Sequence, residues 1–589
     1  MNVLLLILGA AVLFPLAFRI YSRILARNFG EDPQRTTPAV EINDGRDYCP
    51  TRTPVVFAHH FASIAGAGPI LGPTFALMYG VVPVWLWVVL GGILIGAVHD
   101  YSALFASLRE KGKSVAEIAR SSLGEGGFAM MIAFTIMMIL LVTSSFLVAS
   151  ATSLTSLVPL VKMNLPENQT LLKTVTKDGV LMGRIGGIAS TSVIVITLFA
   201  PLVGYLNYRR KMPEWVTAPT AILVCLISIV VGLALPISLP MNTWMILLSI
   251  YTLFAAGIPV WLVLQPRDYT NVFILYAGII LLAVGGIASG LKGTLTVAPL
   301  FNIAQGNSMA SLGLVWPFLF ITVACGAISG FHALVAGGTV AKQVTSERAA
   351  RGIGYGAMLL ESLLAVGVIA AVGSGIAFAD YRQIVFPVQG RSNPILAFAL
   401  GMSGMVHRGL GLPMAFGTVF GILMVEGFIA TTLDTAVRLN RYLFEELWTL
   451  VFKNPPAILR RPWFNAGLCV VLMLFLAFTN AFNALWPIFG ASNQLLAALT
   501  LITITVWLVQ RNKRGVFTFL PALFMTVTTL AALVFLFQKY LASHNYILLA
   551  ADVILFAFAI GLVVIAFRVG LGLRGRSRRP VVAEAPASQ

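Results

Sequence analysis

The sequence predicts an all-α fold, a polytopic transmembrane helical bundle, and three observations lead there. Hydrophobic residues make up 58% of the 589 and charged residues only 10%, with a mean hydropathy of +0.90; no soluble domain carries that balance. Apolar runs of bilayer-spanning length, roughly 20 residues, recur from one end of the chain to the other. The basic residues cluster in alternate connections between those runs, as the positive-inside rule requires.

Taken in order, the first run, near 3–24, has no basic residue before it and Arg19, Arg23 and Arg27 at its end. That polarity is wrong for a cleaved signal peptide and places the N-terminus outside. Further spans fall near 55–79, 81–107, 127–158, 189–207, 215–236, 242–264 and 270–291, and then near 313–341, 353–377, 413–437, 463–485, 488–510, 517–538 and 547–568, making about fifteen. The apolar stretch Ile395 to Met405 is read as a half-helix within an external loop from 378 to 412, since counting it as a span would put Arg438 to Arg461 outside. With His407 and Arg408 it would form an outer lid. The tail after Arg574, basic and then Ala/Pro-rich, is expected to be disordered and cytoplasmic. Residues 1–54 thus form a first span and cytoplasmic segment, 55–437 a core, 438–570 the C-terminal spans, and 571–589 the tail.

Alternating from an outside N-terminus puts about 30 of the 39 Lys and Arg on the inner side. The net charge of +17 is then mostly topology, and nucleic acid is not an expected partner. Cys49, Cys225, Cys325 and Cys469 are scattered, in neither a disulfide framework nor a zinc motif. Walker and Gly-x-Ser-x-Gly signatures in a plausible context are missing, so neither an enzyme nor a resident cofactor or metal is expected. No soluble stretch is long enough for a signalling domain.

The segment VFAHHFASIAGAGPILGP, Val56 to Pro73, is apolar enough for a bilayer yet holds His59, His60, Ser63, Gly66, Gly68, Pro69, Gly72 and Pro73. A helix with that composition breaks, and broken backbone at membrane depth is tolerated only against protein or a water-filled cavity. His59 and His60 diverge by about 100° on a helix and do not chelate one ion together. A second segment, FITVACGAISGFHALVAGG from Phe320 to Gly338, repeats the pattern with Gly326, Ser329, Gly330 and His332. It runs in the opposite direction across the membrane. Two oppositely directed broken helices mark inverted-repeat transporters, which hold substrate and ions near the midplane; taken singly, each could equally be small residues allowing close packing.

Ionisable groups within spans are costly and become candidates on that ground. Glu361 and Glu426 sit near the centres of their runs and are candidate proton carriers, and His99 with Asp100 is a candidate relay or a water-exposed cap. Asp434 and Arg438 stand four apart, the spacing of an ion pair on one helix face, and are read as structural, at an inner gate. Arg267 and Asp268, in LQPRDYTN, are read as a tight cytoplasmic turn.

Several long motifs are similar to those of the carbon starvation (CstA-type) family: DPQRTTPAVEINDGRDY, AHHFASIAGAGPILGP, LQPRDY, PFLFITVACGAISGFHAL, GYGAMLLES and LWPIFGASNQLLA. The resemblance runs over nearly the whole chain. It implies an inner-membrane, proton-coupled uptake system for pyruvate or peptides, used when preferred carbon is scarce, with two broken helices in a fold like that of amino acid/polyamine/organocation transporters. His59, His60, Gly66, Gly68, Pro69 and His332 fall at matching positions. The chain departs in a shorter external loop around 378–412 and in VAGGTVAKQV, where relatives carry more Ser, Thr and Pro.

The expected function is therefore import of a small carboxylate such as pyruvate, coupled to a proton or to sodium. A peptide substrate is the alternative. The anion would dock at the half-helix N-termini of both breaks, and a proton on Glu426, Glu361, His59 or His60 would bias the occupied site inward. A passive channel needs no paired breaks with buried acids. A membrane haem or metal protein using His59, His60, His99 and His332 is a more distant alternative. The sequence does not specify an oligomeric state.

Overall fold

The structure is a computed structural model, and it describes residues 1–44, 48–210, 212–258, 262–309, 311–480 and 482–577. It is built of helices, with one small sheet. Among the described residues, twelve helices are long and apolar enough to cross a membrane, thirteen when a bent pair is counted as one. The expected count of about fifteen also included Met241–Gly257, which has 17 residues, and 313–341, which is divided into short helices.

Burial sorts the long helices. Within their apolar windows Glu125–Leu154 is 89% buried and Met414–Val451 and Phe482–Gln510 are each 83% buried, whereas Val3–Phe29 is 28% buried and Glu214–Ala234 33%. The first three are the central posts; the last two turn apolar faces outward, as a lipid-facing helix must. At 38 residues, Met414–Val451 is roughly 57 Å long. That exceeds a hydrocarbon core of roughly 30 Å, so it reaches well beyond one membrane face.

Helix ends follow local chemistry. Asn2 caps Val3–Phe29 by accepting from the Leu4 N–H at 2.8 Å, and Gly30, at φ 75°, ends it in the left-handed region. That is the αL cap glycine favours. The sheet lies in the 158–183 connection, where Thr174–Lys177 and Val180–Gly183 pair antiparallel and Val158–Pro159 adds on the other side. Asp178 and Gly179, both at positive φ, form the two-residue turn that Asp-Gly favours.

Contacts between connections identify the two ends of the bundle. Arg109 bonds Glu347 and the Gly30 carbonyl, and Arg511 bonds Glu110, so these belong to one end. Asn2 bonds the Gly290 carbonyl at 3.1 Å and Val3 the Thr294 carbonyl at 3.2 Å, marking the other.

At that second end lies Pro394–Leu410, expected as a half-helix in an external loop. It is a 17-residue helix, buried along nearly its whole length. Asn393 at its start bonds Ser156, just past Glu125–Leu154, and Arg408 near its finish bonds the Ser374 carbonyl. Both ends therefore meet the same end of the bundle, and the helix packs back alongside Met414–Val451, where a Cβ on Gly417 would stand 2.7 Å from Ser403 Cα and one on Gly421 2.9 Å from Ala399 Cα. Glycines permit the close approach: a Cβ on Gly375 would stand 1.7 Å from the Gly401 carbonyl oxygen, and one on Gly409 2.5 Å from that of Gly285. The segment is thus packed into that end of the bundle, and the seating comes from backbone contacts that hydropathy does not reveal. The tail expectation also changes, because Tyr546–Ser577 stays helical through Ser577; the rest of the tail, 578–589, lies outside the described residues.

Candidate functional site

The first broken helix is Thr53–Ile64 followed by Gly68–Tyr79, bent by 45°. Ala65, at φ −73° and ψ 69°, leaves the helical region, and the Gly66 N–H folds back to the Ile64 carbonyl at 2.7 Å. Space forces the glycines. A Cβ on Gly66 would lie 2.7 Å from Thr432 Oγ1, and one on Gly68 2.3 Å from Cys325 Sγ. Pro69, in the first turn of the second half, has no N–H to leave unpaired. The amides of Ala67 and Gly68, both on buried residues, bond no acceptor among the described residues. Buried N–H groups at a helix start are a ready site for an anion.

The second broken helix is Val315–Thr322, the turn Ala324–Ala327, and Phe331–Gly338, with Ile328 extended between the last two. It packs on the first: Gly68 meets Cys325, and Gly326 meets Pro69. Its freed backbone groups are taken by two adjacent amides of Phe482–Gln510. Asn493 Oδ1 accepts from the Phe331 N–H at 3.1 Å, and the Asn493 carbonyl from the Gly330 N–H at 3.0 Å. Gln494 donates to the carbonyls of Phe320 at 2.5 Å and Val323 at 3.1 Å. At the N-terminus of Phe331–Gly338 the amides of Gly330 and Phe331 are therefore taken by Asn493, and that of His332 has no acceptor among the described residues. Of the two half-helix starts expected to receive an anion, the one at Gly68 has two adjacent free donors, Ala67 and Gly68.

Beside this break the expected residues converge. His99 Nδ1 and His332 Nδ1 lie 2.7 Å from Asp100 Oδ1 and Oδ2 respectively, and His332 Nε2 lies 3.3 Å from Glu361 Oε2. His99, Asp100, His332 and Glu361 are all fully buried, so the water-exposed cap considered for His99 and Asp100 does not form. Ser329 bonds Asn493, at 3.0 Å from Nδ2. His60 is fully buried with neither ring nitrogen bonded, while His59 is half-buried and its carbonyl accepts from Ser63. The pair diverges as the helix geometry requires.

Glu426 stands apart from that cluster. Its Oε1 accepts from Ser150 Oγ at 2.5 Å and its Oε2 has no hydrogen-bond partner, in a fully buried setting. Among the described residues, no Lys, Arg or His lies within ion-pair distance of it. Phe146 and Thr432 on the same two helices touch the Gly66 position, so Glu426 and Ser150 sit about one or two turns from the first break.

Two expected structural pairings are corrected. Asp434 does not pair with Arg438; its Oδ2 lies 2.8 Å from Arg267 Nη1 and accepts from Tyr251 at 2.9 Å. Arg438 instead donates to the carbonyls of Ala255, at 2.9 Å, and Ile258, which lie at the end of Met241–Gly257. Arg267 and Asp268 do not form a turn, because Leu264–Leu291 is helical from its first residue and carries Arg267 into the interior. A buried guanidinium needs a buried carboxylate, and this overrides the i,i+4 spacing. Asp268 Oδ1 remains 3.9 Å from Arg267.

Tyr251, Ser150, Cys325, Asn493 and Gln494 belong to these arrangements and were not singled out as site residues. The Asn493–Gln494 pair inside an apolar run was the available signal, since amides at that depth need partners.

The family model described as Carbon starvation protein CstA matches residues 2–389 and 376–532. The Peptide transporter CstA of Escherichia coli (strain K12) is 32% identical, aligned over 90% of this chain and 80% of its own. The protein of the same name from Campylobacter jejuni is 31% identical over 89% and 79%. The Pyruvate/proton symporter BtsT of Escherichia coli (strain K12) is 30% identical over 90% and 81%. Among solved structures, a mutant manganese transporter of Eremococcus coleocola aligns over 89% of this chain and 96% of its own, at 9% identity and a TM-score of 0.47.

Proposed function

The chain belongs to the carbon starvation protein CstA family, whose named relatives are transporters, and from that premise we propose that it imports a small carboxylate such as pyruvate together with a proton. The observation that carries the substrate class is the pair of buried, unbonded N–H groups at Ala67 and Gly68. A carboxylate satisfies two such donors at once, and the helix start behind them adds partial positive charge. His59, His60 and Ser63, on the half-helix leading into the break, would line the approach to this position.

Coupling is assigned to Glu426. An ionised carboxyl there would have a serine hydroxyl as its one bonded partner and no cation in contact, a costly arrangement in a membrane interior. A proton taken from the outer side, carried with the substrate and released inside, gives symport. The Arg267–Asp434–Tyr251 network serves as the inner gate, with Asp268 beside Arg267 and Arg438 holding the end of Met241–Gly257. Pro394–Leu410 serves as the outer cover. The protein works in the cell's inner membrane with its N-terminus outside and its C-terminus in the cytoplasm.

A peptide is the second reading, favoured by relatives named peptide transporters; its C-terminal carboxylate would take the same donors. Reconstituted protein distinguishes the two. Pyruvate accumulation driven by an inward proton gradient and unaffected by di- or tripeptides supports the keto-acid reading. Peptide-induced proton entry without pyruvate uptake replaces it with the peptide reading.

A further inference from the structure

At the second break two acceptors face each other. Asp100 receives a histidine nitrogen on each oxygen, His99 Nδ1 and His332 Nδ1, both at 2.7 Å. With a carboxylate at Nδ1, the neutral ring of His332 donates there and presents its lone pair at Nε2. The atom opposite that lone pair is Glu361 Oε2, 3.3 Å away. Neither His332 Nε2 nor either oxygen of Glu361 makes a hydrogen bond, and both side chains are fully buried. Cys325 completes the group: one ligand atom from each of Cys325, His332 and Glu361 lies within 4.8 Å of the others.

In that tautomer nothing positive stands between the Nε2 lone pair and Glu361, and a cation would supply it. The 3.3 Å between nitrogen and oxygen matches two ligands held about 2.0–2.1 Å from one ion at a roughly tetrahedral angle. Asp100 behind His332 is the outer partner that fixes the tautomer and direction of a metal-bound imidazole. Thiolate, imidazole and carboxylate together suit a borderline-soft ion better than magnesium or calcium, which prefer oxygen.

We propose that Cys325, His332 and Glu361 bind a divalent cation of the zinc class. The three ligands come from three helices, Ala324–Ala327, Phe331–Gly338 and Ala357–Gly375. A bound ion ties both sides of the second break to the neighbouring helix and holds the break in this closed packing. Glu426 takes no part, so proton-driven uptake through Glu426 and metal binding here succeed or fail separately.

The test is titration of the purified full-length protein, in lipid nanodiscs, with Co²⁺ alone. The expected result is a sulfur-to-cobalt charge-transfer absorption that saturates at equimolar metal, vanishes in Cys325→Ser and persists in Cys49→Ser. Asp100→Asn, which leaves all three ligands in place but removes the carboxylate shared by His332 and His99, should weaken binding by roughly 10–100-fold. No such band in the wild-type protein, or a band unchanged in Cys325→Ser, overturns the proposal. Should the variant not fold, X-ray absorption on the zinc-loaded wild type decides: one sulfur with nitrogen and oxygen ligands supports the site, and a shell without sulfur rules it out.

Discussion

Gly68 and Cys325 meet where the two broken helices cross, so closely that a Cβ on Gly68 would lie 2.3 Å from Cys325 Sγ and 2.4 Å from its Cβ. The two irregular segments are one packed unit, each filling the space the other's missing side chain leaves.

Gly68→Ala should therefore destabilise the protein by about 1–3 kcal/mol through overpacking and reduce uptake sharply. A thermal-unfolding measurement in detergent reads the first effect and a liposome uptake assay the second. Cys325→Gly should offset part of the loss in the double variant. Unchanged stability and uptake in Gly68→Ala would show that the two helices are not packed this way.

Asn493→Ala should lower the thermal midpoint, because it leaves the buried Phe331 N–H without its acceptor at 3.1 Å. A stranded buried donor costs about 1–3 kcal/mol. Gln494→Ala should act the same way through the carbonyls of Phe320 and Val323. A normal melting curve for both variants would mean that the second break is closed by other groups.

Removing one member of the inner network should be worse than removing both. Arg267→Met leaves Asp434 buried without its partner at 2.8 Å, which costs about 3–5 kcal/mol, whereas an apolar pair of similar volume is often tolerated. The double variant Arg267→Met/Asp434→Leu should thus melt above Arg267→Met alone while losing the inner gate. Additive losses in a double-mutant cycle would contradict the pairing.

Some of this was legible in the sequence, for local reasons. Gly66, Gly68 and Pro69 announce a break wherever they occur in an apolar run, and Glu361, His332, His99, Asp100 and Glu426 stand out because charge at membrane depth is costly. Partnership was not legible. The four-residue spacing of Asp434 and Arg438 suggested a pair, but Arg267 arrives from a distant helix and takes Asp434. Pro394–Leu410 reads as too short to span, and its backbone contacts with Gly375 and Gly285 show how it is seated. Nor could the sequence show that Asn493 takes the Gly330 and Phe331 amides of one half-helix start while those of Ala67 and Gly68 stay free.

Glu426 carries the coupling in this account, so its neutral isostere is the most direct test. Labelled pyruvate uptake into proteoliposomes would be measured for the wild type and Glu426→Gln, with and without an inward proton gradient, alongside pyruvate counterflow at equal pH. The predicted result is gradient-stimulated accumulation in the wild type, and in Glu426→Gln counterflow that persists while the gradient gives no stimulation. Gradient-stimulated accumulation by Glu426→Gln at the wild-type level would contradict the account.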